Sequence, residues 1–465
     1  MARTPGGTLS AFTLLSTPDE PTITSITTSI GSASVAFTAP TDVGDAAVSS
    51  YVVTAVDESS GASTGATGSA SPITVTPPAG GTFKIRMQAL NAYGPGRLTE
   101  YDTGNVIYGG AELYVWGLNT TNGQLGDGTT INRSSPVQVG SLTTWSKGAV
   151  GESFTHAIKT DGTLWGWGRN NVGAVGDGTV VFKSSPVQIG ALTTWYQVAA
   201  SAIGSAAIKT DGTLWIWGGD SNGALGQNTE NINKSSPVQI GALTTWYQVA
   251  AGDSHFGAIK TDGTLWMWGA NSQGNLGQNN IIARSSPVQV GSLTNWSNIT
   301  CGTNHSGAIK TDGTLWTWGR NHLGQLGDNT IVNKSSPVQI GALTNWSQLA
   351  GGNNQFAAIK TDGTLWTWGS NGSGQLGDNT IISRSSPVQV GALTNWSQIS
   401  SGRYHHVSIK TDGTTWTWGD NGAGELGDGT SINRSSPIQV GALTNWLSVA
   451  RGCRASHCFV TLGVV

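Results

Sequence analysis

The chain has 465 residues, 67 of them Gly and 20 Trp, with only 11% charged residues and a formal net charge of −3. That charge, without long basic runs, gives no footprint for a nucleic-acid or other polyanion partner. Three cysteines (Cys301, Cys453 and Cys458) without CxxC spacing argue against a disulfide framework or a zinc site. Small buried thiols are the plainer reading, with a Cys453–Cys458 pair left open.

In chain order, residues 1–16 read as an arm. They lack the apolar core of a signal peptide, and no 18-residue apolar run follows anywhere, so no membrane insertion is expected. Residues 17–108 contain no Trp and no repeat. The run "SASVAFTAPTDVGDAAVSSYVVTAVD" (32–57) has a strand, a Pro-containing turn and a second strand. With "FKIRMQALNAYGPG" (83–96), a strand followed by an Asn-x-x-Gly turn, it resembles a fibronectin type III domain. Phe37 stands where that family usually has Trp. The resemblance implies a β-sandwich.

From residue 109 to 465 the sequence repeats. "KTDGT" begins at Lys159, Lys209, Lys260, Lys310, Lys360 and Lys410, a spacing of 50 or 51 residues. A period near 50 with strand signals indicates a propeller or a solenoid. One copy reads as four strands: "SPVQI" (236–240) outermost, then "WYQVAA" (246–251), "HFGAIK" (255–260) and "TLWMWG" (264–269). Asp-Gly between the last two is a hairpin signal, because the turn demands positive φ. Trp266 and Trp268, two apart on a strand, point to one face. An aromatic face of that size cannot be hidden by one four-stranded sheet, so neighbouring sheets must stack.

Trp-Gly pairs at Trp116, Trp167, Trp217, Trp268, Trp318, Trp368 and Trp418 predict seven blades. The first lacks a third strand and the last, after Trp446, lacks a fourth. The C-terminal strand is therefore expected to pair with residues 112–117 and close the ring. Counting eight on from Gly452 sets Val460-Thr461-Leu462-Gly463 on the KTDG of the other copies. The fold class expected is all-β, a seven-bladed β-propeller preceded by a β-sandwich.

The "W-x-W-G-x-N-x-x-G-Q-L-G-D-x-T" runs at 316–330 and 366–380, with "A-x-G-x-x-H" at 250–255, resemble the regulator-of-chromosome-condensation family. The resemblance implies a seven-bladed propeller and favours a ring over a solenoid. The founding activity, nucleotide exchange on a small GTPase with chromatin binding, depends on loops that do not map onto such uniform repeats.

No catalytic constellation is legible, and no cofactor or enzyme activity is expected. Asp161, Asp211, Asp262, Asp312, Asp362 and Asp412 recur in the hairpin turns, whereas acid–base work needs one differentiated pair. The pairs Asp127/Arg133, Asp177/Lys183, Asp328/Lys334, Asp378/Arg384 and Asp428/Arg434 read as local salt bridges. The histidines sit on different copies, so no metal site is expected. The run after each inner strand, however, diverges between copies that are otherwise nearly identical: "GESFTH" at 151, "GDSHFG" at 252, "GRYHHV" at 402. These runs should line one face or the mouth of the channel. The candidate binding residues are Phe154, His156, Ile203, His255, Phe256, His305, Gln355, Phe356, Arg403, Tyr404, His405, His406 and Arg454, several being types enriched at interfaces.

A fibronectin-like module joined to a low-charge propeller reads as a non-enzymatic virion structural or adhesion protein of a bacteriophage. Its expected partners are other virion proteins and a host cell-surface glycan or protein, with oligomeric assembly compatible. A bacterial surface or secreted adhesin is the alternative. A propeller-type protein inhibitor and a GTPase regulator are minor ones.

Overall fold

The computed structural model describes residues 16–29, 32–57, 63–75, 83–102, 111–450 and 452–463. The chain divides into two compact units, Met1–Gly109 and Gly110–Val465. Of the expected arm only Ser16 is described, and the unit boundary lies outside the described residues.

The first unit has seven strands: β1 (Thr22–Ser29), β2 (Ser32–Thr38), β3 (Ser50–Asp57), β4 (Ser63–Gly68), β5 (Ile73–Val75), β6 (Phe83–Asn91) and β7 (Gly94–Asp102). They form two antiparallel sheets, in orders β1-β2-β5 and β4-β3-β6-β7. Strand alternation sends Tyr51, Val53 and Ala55 inward, where they share one cluster with Val35, Ile73, Ile85 and Met87. Buried Asn91 donates its amide to the carbonyls of Ser16 and Val43 and accepts from the Tyr93 N–H, fixing the turn after β6.

The second unit is built from repeated four-stranded antiparallel blades, each named here by its leading Trp. The Trp246 blade comprises Trp246–Ala251, His255–Lys260, Leu265–Gly269 and Arg284–Gln289, in that order. The Trp195, Trp296, Trp346 and Trp396 blades repeat it. The expected strand order needs one correction. The "SSPVQ" strand pairs with the W-x-W strand before it, as Gln289 does with Trp266, and not with the Trp-led strand after it. The long Gly-rich loop returns to the same sheet, while the short "GALTN" link crosses from one blade's outer edge to the next blade's inner strand.

One contact recurs between blades. The second Trp of each W-x-W is fully buried, and in every such blade except that of Trp368 it donates its indole N–H to a loop carbonyl of the preceding blade. Examples are Trp268 to Ala224 (3.0 Å) and Trp318 to Asn275 (2.9 Å). The loop can come this close only because glycine stands there. At Gly277, where φ is +69°, a Cβ would lie 2.9 Å from the Trp318 indole nitrogen. This is the physical content of the second Gly in "G-Q-L-G".

The KTDGT turn is a second module. Lys410 stands 3.5 Å over the Trp416 ring and 4.7 Å over that of Trp396, and five other blades repeat the arrangement. Asp412 accepts from the Thr414 N–H and hydroxyl, and Thr414 in turn accepts from the Trp416 indole. The turn aspartates are thus occupied in holding the hairpin.

Residues from both ends share one eight-stranded sheet, whose two halves meet at the single bridge Trp145–Ala111. One half is Trp145–Val150, Phe154–Lys159, Leu164–Gly168 and Lys183–Gln188. The other is Trp446–Val449, His457–Gly463, Ala111–Gly117 and Arg133–Gln138. His457–Gly463 pairs with Gly117–Ala111 over seven positions. The register corrects the sequence count. Trp446 faces Leu462 as Trp396 faces Lys410, so Leu462 and not Val460 takes the lysine position. The preceding turn is two residues longer than in the other blades, and spacing from Gly452 therefore misplaces the strand.

Candidate functional site

The inner strands converge on a central cavity of ≈ 50 Å³ lined by small residues such as Ala200, Ala251, Cys301 and Ser401. At one end of these strands lie the divergent turns. Backbone hydrogen bonds join them into a rim: the Ala202 N–H to Asp253, Asp253 to Thr303, Thr303 to Gly352, Asn353 to Arg403, and Arg403 to Ala455.

The longer terminal turn sends Arg454 across this rim. Its guanidinium donates to Asp253 at 2.5 Å and to Glu152 at 2.9 Å, groups that belong to two other blades. All three side chains are about one-quarter exposed. Burial works against the cation, but the Asp253 and Glu152 carboxylates outweigh it and raise the guanidinium above its usual range. Beside it, Arg403 lies 5.2 Å from the Tyr404 ring. The rim is a polar mouth carrying both signs of charge.

The structure divides the thirteen candidates. Ile203, Arg403, Tyr404 and Arg454 are partly exposed at the rim. Phe154, His156, His255, Phe256, His305, Gln355, Phe356, His405 and His406 are buried and cannot present a face, which corrects the expectation for them. The second strand of each blade lies between neighbours, so both its faces are covered. The first position of that strand, held by His255, His305, Gln355 and His405, tucks under its own turn. A Cβ on Gly402 would sit 2.2 Å from His405 Cε1, which explains the Gly in "G-x-x-H". Across the interface His255 meets the Ser306 hydroxyl at 3.0 Å, His457 meets Thr155 at 2.8 Å and His405 meets the Cys458 sulfur at 3.2 Å. Sequence reasoning missed Glu152 and Asp253, whose role depends on Arg454 reaching them.

Burial governs the ionisable groups here. It pushes His156 and His405 down to about 4, and His255, His305, His406 and His457 to about 3. It pushes the Cys301 thiol up to about 12, and all three cysteines are free and buried. Their thiols are poor nucleophiles. The acid–base pairs are local salt bridges, from 2.7 Å at Asp127/Arg133 to 3.6 Å at Asp328/Lys334. Each carboxylate also accepts from a threonine two residues on, as Asp378 does from Thr380. No cluster of three metal-ligating side chains occurs among the described residues.

Glu425 is the exception among the loop acids. Burial lifts its carboxyl to about 7, and it accepts from the Ala423 N–H at 2.7 Å. Gln325 and Gln375 occupy the same place in their loops and accept the corresponding N–H. A raised carboxyl loses stability as pH climbs from its unfolded value through 7. Glu425→Gln is therefore expected to stabilise the protein by roughly 1–3 kcal/mol at pH 8 and to leave it unchanged at pH 4. Paired thermal melts check this, and an equal effect at both pH values would contradict it.

A family model described as "RCC1-like domain" matches residues 112–460. Among solved structures, human WBSCR16 is similar at TM-score 0.68 and 20% identity, covering 76% of this chain and 98% of that one. Prp20p from Saccharomyces cerevisiae, in a study of its binding to Gsp1p and histones, is similar at TM-score 0.68 and 20% identity, covering 77% and 92%. Yeast RCC1 (Prp20) bound to Kap60 gives the same TM-score and identity, covering 77% and 90%. At that identity the likeness speaks for the fold alone. No curated protein matches.

Proposed function

The chain belongs to the RCC1-like domain family, and on that premise we propose that it is a non-catalytic binding propeller whose channel mouth engages a protein partner. The observation that carries this reading is the contrast between a copied framework and a divergent rim. Arg403 and Tyr404, residue types enriched at interface centres, are partly exposed there beside the Glu152–Arg454–Asp253 cluster. We further read the eight-stranded sheet as two blades, which makes seven in a ring closed by the C-terminal strand. The seven strands of residues 22–102 are read as a fibronectin type III-like sandwich. A propeller of low charge carrying such a module suits outward display, as a virion structural or adhesion protein or, alternatively, a bacterial surface or secreted adhesin.

Arg403→Glu and Tyr404→Ala are each expected to weaken adsorption of the full chain to intact bacterial cells by at least about tenfold. Adsorption equal to the parent's in both variants would remove the mouth as the binding surface. Mass spectrometry of purified particles that finds no copy of the chain would end the virion placement.

A second reading, regulation of a small GTPase, draws on Prp20p, whose reported binding properties concern Gsp1p and histones. The net charge of −3 gives no histone-like or DNA-like electrostatic handle. A nucleotide-exchange assay with no acceleration by the full chain disposes of it.

A further inference from the structure

A second candidate site lies away from the mouth, on the outer side. Between the outer strand Arg384–Gln389 of the Trp346 blade and the Trp396 blade runs a groove of ≈ 420 Å³. That volume falls within the range of small-molecule sites. Its apolar wall includes Val388, Leu393, Trp396, Trp416 and Pro437. The indoles of Trp396 and Trp416 meet edge to face, with ring centroids 6.2 Å apart. Trp416 stays half-buried, and Lys410 covers one face of its ring.

The polar side of the groove is chemically distinctive. Asp378 and Arg384 line it and cancel each other's charge at 2.9 Å. Gln389 adds an amide and Ser436 a hydroxyl, so donors and acceptors stand side by side. Trp396 is buried, yet its indole N–H has no acceptor among the described residues. That nitrogen has no exposed surface, so a ligand's polar contacts fall to Gln389, Ser436 and the ion pair. The remaining cation of the lining, Lys410, is held over the Trp416 ring and has Asp412 as its charge partner, and an aromatic wall facing side-by-side donors and acceptors matches a ligand with one C–H face and a rim of hydroxyls. A pyranose ring has both.

The chemistry also recurs. The junction before the Trp195 blade carries Asp177, Lys183, Val187, Gln188, Leu192, Trp195, Lys209, Trp215 and Pro237 at the same places in the repeat. The indole N–H groups of Trp145, Trp195, Trp246, Trp296, Trp346 and Trp446 lack acceptors like that of Trp396. Repeated sites on one rigid scaffold turn weak single contacts into avidity for a surface bearing many copies of the ligand.

We propose that the outer groove between the Trp346 and Trp396 blades binds a neutral pyranose of a cell-surface glycan, with its counterparts at other blade junctions acting together. The inference rests on the outward-display reading and separates saccharide contact from the protein contact at the mouth.

The test uses the full chain in two formats, retention on immobilised neutral and acidic glycans, and fluorine NMR of 5-fluorotryptophan-labelled protein titrated with methyl galactoside, methyl mannoside and methyl N-acetylglucosaminide. Trp416→Phe identifies the Trp416 resonance by its absence. The expected result is retention on a neutral glycan and a shift of that resonance with millimolar glycoside. Ser436→Trp places bulk in the groove from an exposed position. It should abolish the shift of the Trp416 resonance while the melting temperature stays unchanged. Lack of any shift at tens of millimolar, a shift that survives Ser436→Trp, or retention on acidic glycans alone would overturn the proposal. Adsorption lost in Arg403→Glu without any glycan retention would sink this inference alone and leave the partner-binding reading standing.

Discussion

Thermal unfolding of this protein is expected to shift steeply downward between pH 7 and pH 5, before most carboxylates titrate. The cause is the set of buried imidazoles His156, His255, His305, His405, His406 and His457, all held neutral by loss of solvent. An unfolded histidine takes up a proton near pH 6.5, while these refuse it until about 3 or 4. Over that interval the unfolded chain binds more protons, so stability falls as pH falls. At pH 5 each such residue costs about 2 kcal/mol. Even partial additivity consumes much of a typical folding free energy. Most of the salt-bridged and turn aspartates contribute only later, because hydrogen bonds from neighbouring threonines and nearby cations keep them ionised below their usual range. A fall in melting temperature of roughly 10 °C or more is expected. Gln355 supplies the control, since it faces Gly369 as His305 faces Gly319 and His405 faces Gly419. The double variant His305→Gln/His405→Gln should flatten the pH slope. An unaltered slope would mean that these imidazoles are solvated on a faster route than global unfolding.

Deleting residues 455–465 is expected to abolish cooperative unfolding of the second unit. The strand His457–Gly463 pairs with Ala111–Gly117 along its full length, and removing it leaves a bare sheet edge. Phe459, Val460 and Leu462 are buried in it. The Trp116 indole, which donates to Glu425 at 2.8 Å, loses the cover of Cys458 and its neighbours. Because a deletion can simply prevent folding, Phe459→Ala is the graded version. The Phe459 ring lies where a Cβ on Gly148 would stand 2.4 Å from Cζ, so no neighbouring side chain can fill the space. The expected loss is about 3–5 kcal/mol in denaturant unfolding. A loss under about 1 kcal/mol would show that the terminal strand contributes little.

Much of the architecture is legible from the chain alone because it is written many times. A period near 50, Asp-Gly turns and paired tryptophans define repeated four-stranded blades, and the RCC1-like match agrees. The local salt bridges between Asp378 and Arg384 and their equivalents are also legible, since six residues separate each pair in a Gly-rich loop. The candidate face is where such reasoning stops. Divergence among copies picks out the turns at one end of the inner strands, yet it does not tell a partly exposed Tyr404 from a buried His405 one residue later. Which of two neighbours points outward depends on whether another blade covers the strand on both faces.

By itself, then, the sequence determines the repeat, the strand types, the turn chemistry and the need for stacking, because each follows from local spacing and from aromatic area that one sheet cannot bury. Tertiary structure decides the partners. It assigns each "SSPVQ" strand to the blade before it. It sets Leu462 where other copies have lysine. It carries Arg454 across the rim to Glu152 and Asp253, residues 302 and 201 positions away in the chain. Such contacts depend on where separate blades come to rest, and no local period encodes that.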